Sequence, residues 1–163
     1  MKDTEIRLAM DETAYIINLT AEEAKQVAAI TEHSAGNAFE SSVSCVGANV
    51  CQIGLQDSNG LLQTIVDTVK PYNFPDGALP KIHISGCPSS CGTHQIGSIG
   101  LHGSMKVVDK VPTRCFNVAV GGNDRLGSET FGELIGNVPV ANIPELFVAL
   151  GKTVIAADTN FES

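Results

Sequence analysis

Apolar and polar positions recur along this chain with two periods, and the periods mark its elements. Tyr15 to Leu19 is a short apolar run that predicts a strand. Thr20, with Glu23 three residues later, is a capping-box pattern and predicts a helix from about Ala21 to Thr31. After Asn59, the residues Leu61, Leu62, Ile65, Val66 and Val69 fall on one helical face, and Pro71 is expected to end that helix. Lys81 to Ser85 reads as a strand with Ile82 and Ile84 on one face and His83 on the other. Two further strands are expected over Ile99 to Val108 and Arg114 to Val120. Asn142 with Glu145 repeats the helix-start signal, and Ile143, Leu146, Phe147, Leu150 and Val154 then share one helical face.

Small and polar residues fill the intervals. Gly36 to Ser44 reads as a loop, and Tyr72 to Pro80 as a connection rich in proline and glycine. Helices and strands mix without strict alternation. The expected fold class is therefore α+β, with a small, mixed, partly antiparallel sheet and flanking helices.

Composition narrows the function. The 163 residues leave room for a real core, and with no tryptophan and only 5% aromatics that core must be aliphatic. Eighteen acids against ten bases give a net charge of −8. That balance argues against nucleic-acid binding and against docking on an anionic membrane. No run is long and apolar enough for a membrane span, and Met1 to Glu5 is too polar for a secretory leader, so a cytoplasmic location is expected. In that compartment five cysteines point to metal ligands or buried thiols rather than disulfides.

Four of the cysteines form two close pairs. Cys45 and Cys51 have five residues between them, and Cys87 and Cys91 have three. Four thiolates satisfy the four irons of a cubane cluster. Gly47, Gly54, Gly86 and Gly92 beside them allow close backbone approach, so that amides can donate to sulfur, while Pro88 stiffens the second loop. Structural zinc sites usually place two residues inside each pair, so these gaps fit zinc poorly. Unliganded buried cysteines, or a catalytic thiol served by His94, are the other readings. Cys115, inside an expected strand, reads as a core thiol.

At these residues the chain resembles a known family. The segment from Ile82 through Gly86-Cys87-Pro88-Ser89-Ser90-Cys91-Gly92 to Leu101 is similar to the second cluster motif of sirohaem-dependent nitrite and sulfite reductases. Cys45 with Cys51 resembles the first motif, and Gly121-Gly122-Asn123 the glycine-rich turn that follows it in the same domain. The likeness runs from about Val43 to the last helix. Ile6 to Thr31 resembles, more weakly, the end of the family's ferredoxin-like half-domain. The domain division implied is 1–40 for that remnant and 41–163 for the cluster domain.

The resemblance implies a [4Fe–4S] cluster on Cys45, Cys51, Cys87 and Cys91, with Cys91 bridging to the iron of sirohaem. It implies electrons passing through the cluster to the haem, where nitrite becomes ammonia or sulfite becomes sulfide. Asn49, Gln95, Gly121, Gly122 and Asn123 are the further candidate cofactor contacts. Sirohaem carries eight carboxylates, which call for a cluster of Arg and Lys that ten dispersed bases do not supply. The expected partners are thus the remaining lobe or subunit of a reductase and an electron donor such as ferredoxin or a flavoprotein. On this reading the chain alone is incomplete and inactive. Ser89 stands where the family often has Asn, and Thr93 where Arg is common. Competing functions are a stand-alone iron–sulfur electron-transfer module, an enzyme like precorrin-3B synthase, and a zinc domain.

Several residues outside the cysteines carry weaker expectations. His83 reads as a surface group or one that supports a ligand, not a ligand itself. His94 and Gln95, just past the second loop, are placed to bond the cluster surroundings or to serve structure alone. His102 shows no partner in sequence, and Arg114 reads as a surface strand residue. Asn49 is also a natural turn residue. Asp57, Asp67 and Asp76 read as solvated positions, and no carboxylate pair presents itself for acid–base chemistry.

Overall fold

A computed structural model describes residues 3–9, 12–32 and 34–161 and divides into two units, Met1–Gly36 and Asn37–Ser163. Met1 and Lys2 of the polar N-terminus lie outside the described residues. In the first unit, β1 (Glu5–Leu8) pairs antiparallel with β2 (Ala14–Ile17), Glu5 opposite Ile17. The strand expected over Tyr15 to Leu19 stops early, because Asn18 adopts a left-handed φ of 62°. β1 was not expected, and it is the partner strand of β2. α1 (Ala21–Ile30) starts on a complete capping box: Thr20 accepts from the Glu23 amide, and Glu23 accepts from the Thr20 amide at 2.9 Å. That box holds Glu23 below the usual carboxylate range.

The second unit is built on a five-stranded sheet in the order β3-β4-β5-β6-β7. β3 (Val43–Ser44) and β4 (Ile82–Ser85) are parallel, as are β4 and β5 (Ile99–Val108), whereas β5, β6 (Val111–Val120) and β7 (Glu133–Pro139) run antiparallel in turn. The sheet is mixed, as expected, and the fold is α+β. β3 corrects the loop expected up to Ser44: Val43 and Ser44 are buried and paired with His83 and Ile84. β6 begins three residues earlier than expected. Asp109 and Lys110 both take positive φ, the geometry of a two-residue hairpin that matches strand twist.

α2 (Ser58–Val69) and α3 (Ile143–Ala156) cover one face of this sheet. The core joins Leu61, Ile65 and Val69 of α2 to Ile82, Ile84, Leu101, Phe116 and Val118 of the strands and to Ile143, Phe147 and Val148 of α3. It is mainly aliphatic, with Phe39, Phe116 and Phe147 as its rings. Pro71 sits in a short 3-10 turn, Lys70–Tyr72, directly after α2. The buried stripe of α3 is rotated from expectation: Val148 and Gly151 are buried while Leu146 is exposed. Gly151 explains this, since a Cβ there would collide with the Phe74 ring.

The opposite face of the sheet is polar. His83 and Ser85 of β4 lie there with His102 and Asn117, register partners on β5 and β6. The chain from Gly86 to Ser98 folds back over this face, and that return buries His83 to 3% exposure. Of the two readings of His83, the surface one is therefore corrected.

Candidate functional site

Both cysteine pairs lie on loops at the C-terminal ends of the parallel strands β3 and β4. One peptide oxygen brings the loops together. The amide of Cys45 donates to Ile84 O at 3.0 Å, and a Cβ on Gly92 would collide with that same oxygen and stand 3.2 Å from Cys45 N. Only glycine lets the second loop lie this close to the first.

A second junction forms at Gly86. Its carbonyl accepts from the amides of Leu55 and Gln56, at 3.1 and 2.9 Å, and its own N–H donates to Cys45 Sγ at 3.1 Å. A Cβ at this position would come within 2.5 Å of Gln56 O. Cys45 Sγ also lies 3.1 Å from Ser58 Oγ, on the first residue of α2. A twelve-residue helix presents partial positive charge at that end, so the sulfur sits where negative charge is favoured.

The first loop is a compact turn. Cys51 N donates to Gly47 O at 2.8 Å, and Gly47 adopts φ 72° with its Cα against Ser58. Asp57 caps α2 by accepting from Gly60 N at 3.0 Å, and accepts from Asn49 Nδ2 at 2.6 Å. Asp57 is thus a structural cap, not the solvated position expected, and it takes one N–H of the Asn49 amide. Gln56 was not singled out in sequence. It is 2% exposed and ties the loop to β5 by donating to Ser104 O at 2.8 Å.

The second loop is held from β4. Ser85 Oγ accepts from Gly92 N at 3.1 Å and lies 2.9 Å from His94 Nδ1. His83 Nδ1 is 2.8 Å from Thr93 Oγ1, and its Nε2 is 3.8 Å from Asp124. Ser90 donates to Gln95 Oε1 at 2.7 Å. Ser90 and Thr93 both hold left-handed φ, 61° and 51°, each costing about 1 kcal/mol for a residue with a Cβ. The His94 and His102 rings pack tilted at 38° with centroids 4.5 Å apart, and His102 Nε2 is 2.9 Å from Asn117 Nδ2. Burial, then the neighbouring His102, pushes His94 down to about 4; burial lowers His102 too. Both rings are neutral at pH 7.

The glycine-rich turn lies near this loop through backbone contacts. Gly121 N donates to Ser98 O, and a Cβ on Gly122 would strike Gly97 O. Asn123 uses its side chain on its own turn, bonding Arg125 N and Ser128 O.

Cys45, Cys51 and Cys87 are partly buried, and Cys91 is exposed. Cys115 is fully buried, as expected of a core thiol. Among the described residues no three His, Cys, Asp or Glu groups converge on a single metal ion. A cubane takes one thiolate at each of four separate irons, so its ligands need not share a point. The donor set fits such a cluster: four thiols on two loops knitted at Ile84 O and Gly86, with an amide already aimed at one sulfur.

The chain is similar in sequence and fold to known proteins. The assimilatory-type sulfite reductase of Nitratidesulfovibrio vulgaris is 42% identical over 62 residues, covering 38% of this chain and 28% of the relative. The sulfite reductase [NADPH] hemoprotein beta-component of Bacillus subtilis is 25% identical over 161 residues, 91% of this chain and 26% of the relative. This chain thus spans little more than a quarter of those relatives. The structure of Mycobacterium tuberculosis NirA superposes with a TM-score of 0.68 at 20% identity, covering 86% of this chain and 28% of that one, which shows the same fold. The nitrite and sulphite reductase 4Fe-4S domain matches residues 35–150, and the chain belongs to that family.

Proposed function

We propose that Cys45, Cys51, Cys87 and Cys91 hold a [4Fe–4S] cluster, and that the chain is the cluster-bearing part of a sirohaem nitrite or sulfite reductase. The observation that carries this reading is the Gly86 N–H donated to Cys45 Sγ, which ties one cysteine loop to the other at a sulfur. Bound there, the cluster would supply one-electron transfers to a haem iron that reduces nitrite or sulfite by six electrons.

The chain's own residues have three tasks in this scheme. Gly86 and the N-terminal end of α2 favour negative charge on Cys45. Asp57 and Gln56 fix the first loop, one by capping α2 and one by anchoring to β5. Cys91, the exposed member, is the thiolate available to a second metal centre from outside the unit. The net charge of −8 supports completion by another lobe, which must bring the cations that bind a ring of carboxylates.

Anaerobic reconstitution with iron and sulfide tests the reading. About four irons and four sulfides per chain, with a reduced cubane EPR signal, are expected. Stoichiometric zinc, or no iron uptake, overturns it.

A further inference from the structure

We infer that His83 and Ser85, alternate residues of β4, are positioning residues for Cys91. The inference rests on the cluster reading above and assigns two residues that no ligand role covers.

Strand geometry sends every second side chain to the same face. Ile82 and Ile84 enter the core, while His83 and Ser85 meet the second cysteine loop on the other side. Their contacts fall on the two residues that follow Cys91. Ser85 Oγ accepts the Gly92 amide at 3.1 Å, and His83 Nδ1 holds Thr93 Oγ1 at 2.8 Å. Ser85 is itself oriented by His94 Nδ1 at 2.9 Å. On the preceding side, Ser90 O accepts from Thr93 N at 2.9 Å, which closes a tight turn around Cys91.

Cys91 is exposed, so surrounding packing does little to aim its sulfur. Its direction is set by the backbone on either side. That backbone carries two left-handed residues with side chains, Ser90 and Thr93, a conformation that persists only where neighbours impose it. β4 supplies the constraint. Without Ser85 Oγ the buried Gly92 amide has lost its acceptor, and without His83 the Thr93 hydroxyl no longer holds its turn. The direction of the Cys91 sulfur then relaxes while the sheet beneath stays intact.

The test reconstitutes the full chain and its Ser85→Ala, Ser85→Thr, Thr93→Ala and His83→Gln variants with iron and sulfide. Asn37→Ala serves as a comparison, because the hydrogen bond it loses, from Glu40 N at 2.8 Å, lies outside both cysteine loops. Reduced-state EPR, midpoint potential and iron release to a chelator are recorded with far-UV circular dichroism. Ser85→Ala and Thr93→Ala are expected to fold, to shift or broaden the EPR signal, and to release iron about tenfold faster. Ser85→Thr and His83→Gln, which keep an oxygen or a nitrogen at the contact, are expected to recover most of both properties. Asn37→Ala is expected to lose stability without changing the spectrum. Variants that match the unmodified chain in spectrum, potential and iron release overturn the positioning role, and so does a spectral change equally large in Asn37→Ala. Should Ser85→Ala not fold, the surface-side Thr93→Ala decides the question alone. Failure of the unmodified chain to take up iron instead overturns the cluster reading itself.

Discussion

Gly86 and Cys45 stand 41 positions apart in the chain, and the amide of the first donates to the sulfur of the second at 3.1 Å. The bond crosses between the two cysteine loops and needs Gly86 to lie against Gln56 O. Gly86→Ala forces that contact apart. Overpacking of this kind costs about 1–3 kcal/mol. Urea unfolding is expected to show the loss, and reconstituted Gly86→Ala to hold fewer irons than the unmodified chain. Full iron content with an unchanged spectrum would mean the amide has no part in the site.

The five cysteines separate into two classes. Cys45, Cys51, Cys87 and Cys91 are each expected to lower iron content when replaced by alanine. Cys115 is fully buried across from Ser104 in the sheet. Cys115→Ala is expected to keep the full complement and to lose about 1 kcal/mol of stability from the small void. Iron analysis beside thermal unfolding distinguishes the classes.

Asp57 joins the helix to the loop, capping Gly60 N with one oxygen and holding Asn49 with the other. Asp57→Ala is expected to cost about 1–2 kcal/mol and to speed iron loss to a chelator. Asp57→Asn keeps the capping oxygen and loses the second acceptor, so it should restore the cap's share of the stability. Chemical denaturation of the three chains checks the order.

Stability should fall in acid because of His94. Its folded-state value is about 4, below the ordinary histidine value of about 6.5. Between the two, the unfolded chain binds a proton that the folded chain refuses. Stability is therefore full above about pH 6.5, declines as pH drops through the window, and levels off below about 4. Allowing for partial solvent screening, the loss is of order 2 kcal/mol. His102 is shifted in the same direction. Urea midpoints from pH 7.5 to 4.5 are expected to slope less in His94→Gln; an equal slope would remove His94 as the cause.

Local patterns were more legible in the sequence than contacts between distant segments. Cysteine spacing and flanking glycines are local features, and so is the Thr20–Glu23 capping box, which the structure contains in full. What the sequence hid depends on distant partners. β3 is two residues long, too short for any period, and exists because β4 lies beside it. β7 includes the exposed Leu134 and Ile135 and follows no clean alternation. α3 turns toward Phe74 through Gly151, a position that hydrophobic patterns cannot mark. His83 looks outward by strand alternation, yet the returning loop buries it. Asp57 was legible in principle, since an acid three residues before Gly60 at a helix start is a capping pattern.

Ile84 makes its contribution through a peptide oxygen, not a side chain. Exchanging its sec-butyl group for any other leaves that carbonyl in place, so a substitution scan of the unit is blind to the atom that joins its two halves. Chemical synthesis can reach it: an ester in place of the peptide linkage before Cys45 deletes the donor and leaves every side chain untouched. The same atom sets a rule for grafting such a centre onto another scaffold. Four thiols at the right spacing are insufficient, because the host also needs a strand end whose carbonyl is open to two chains at once, with a residue lacking Cβ on one of them.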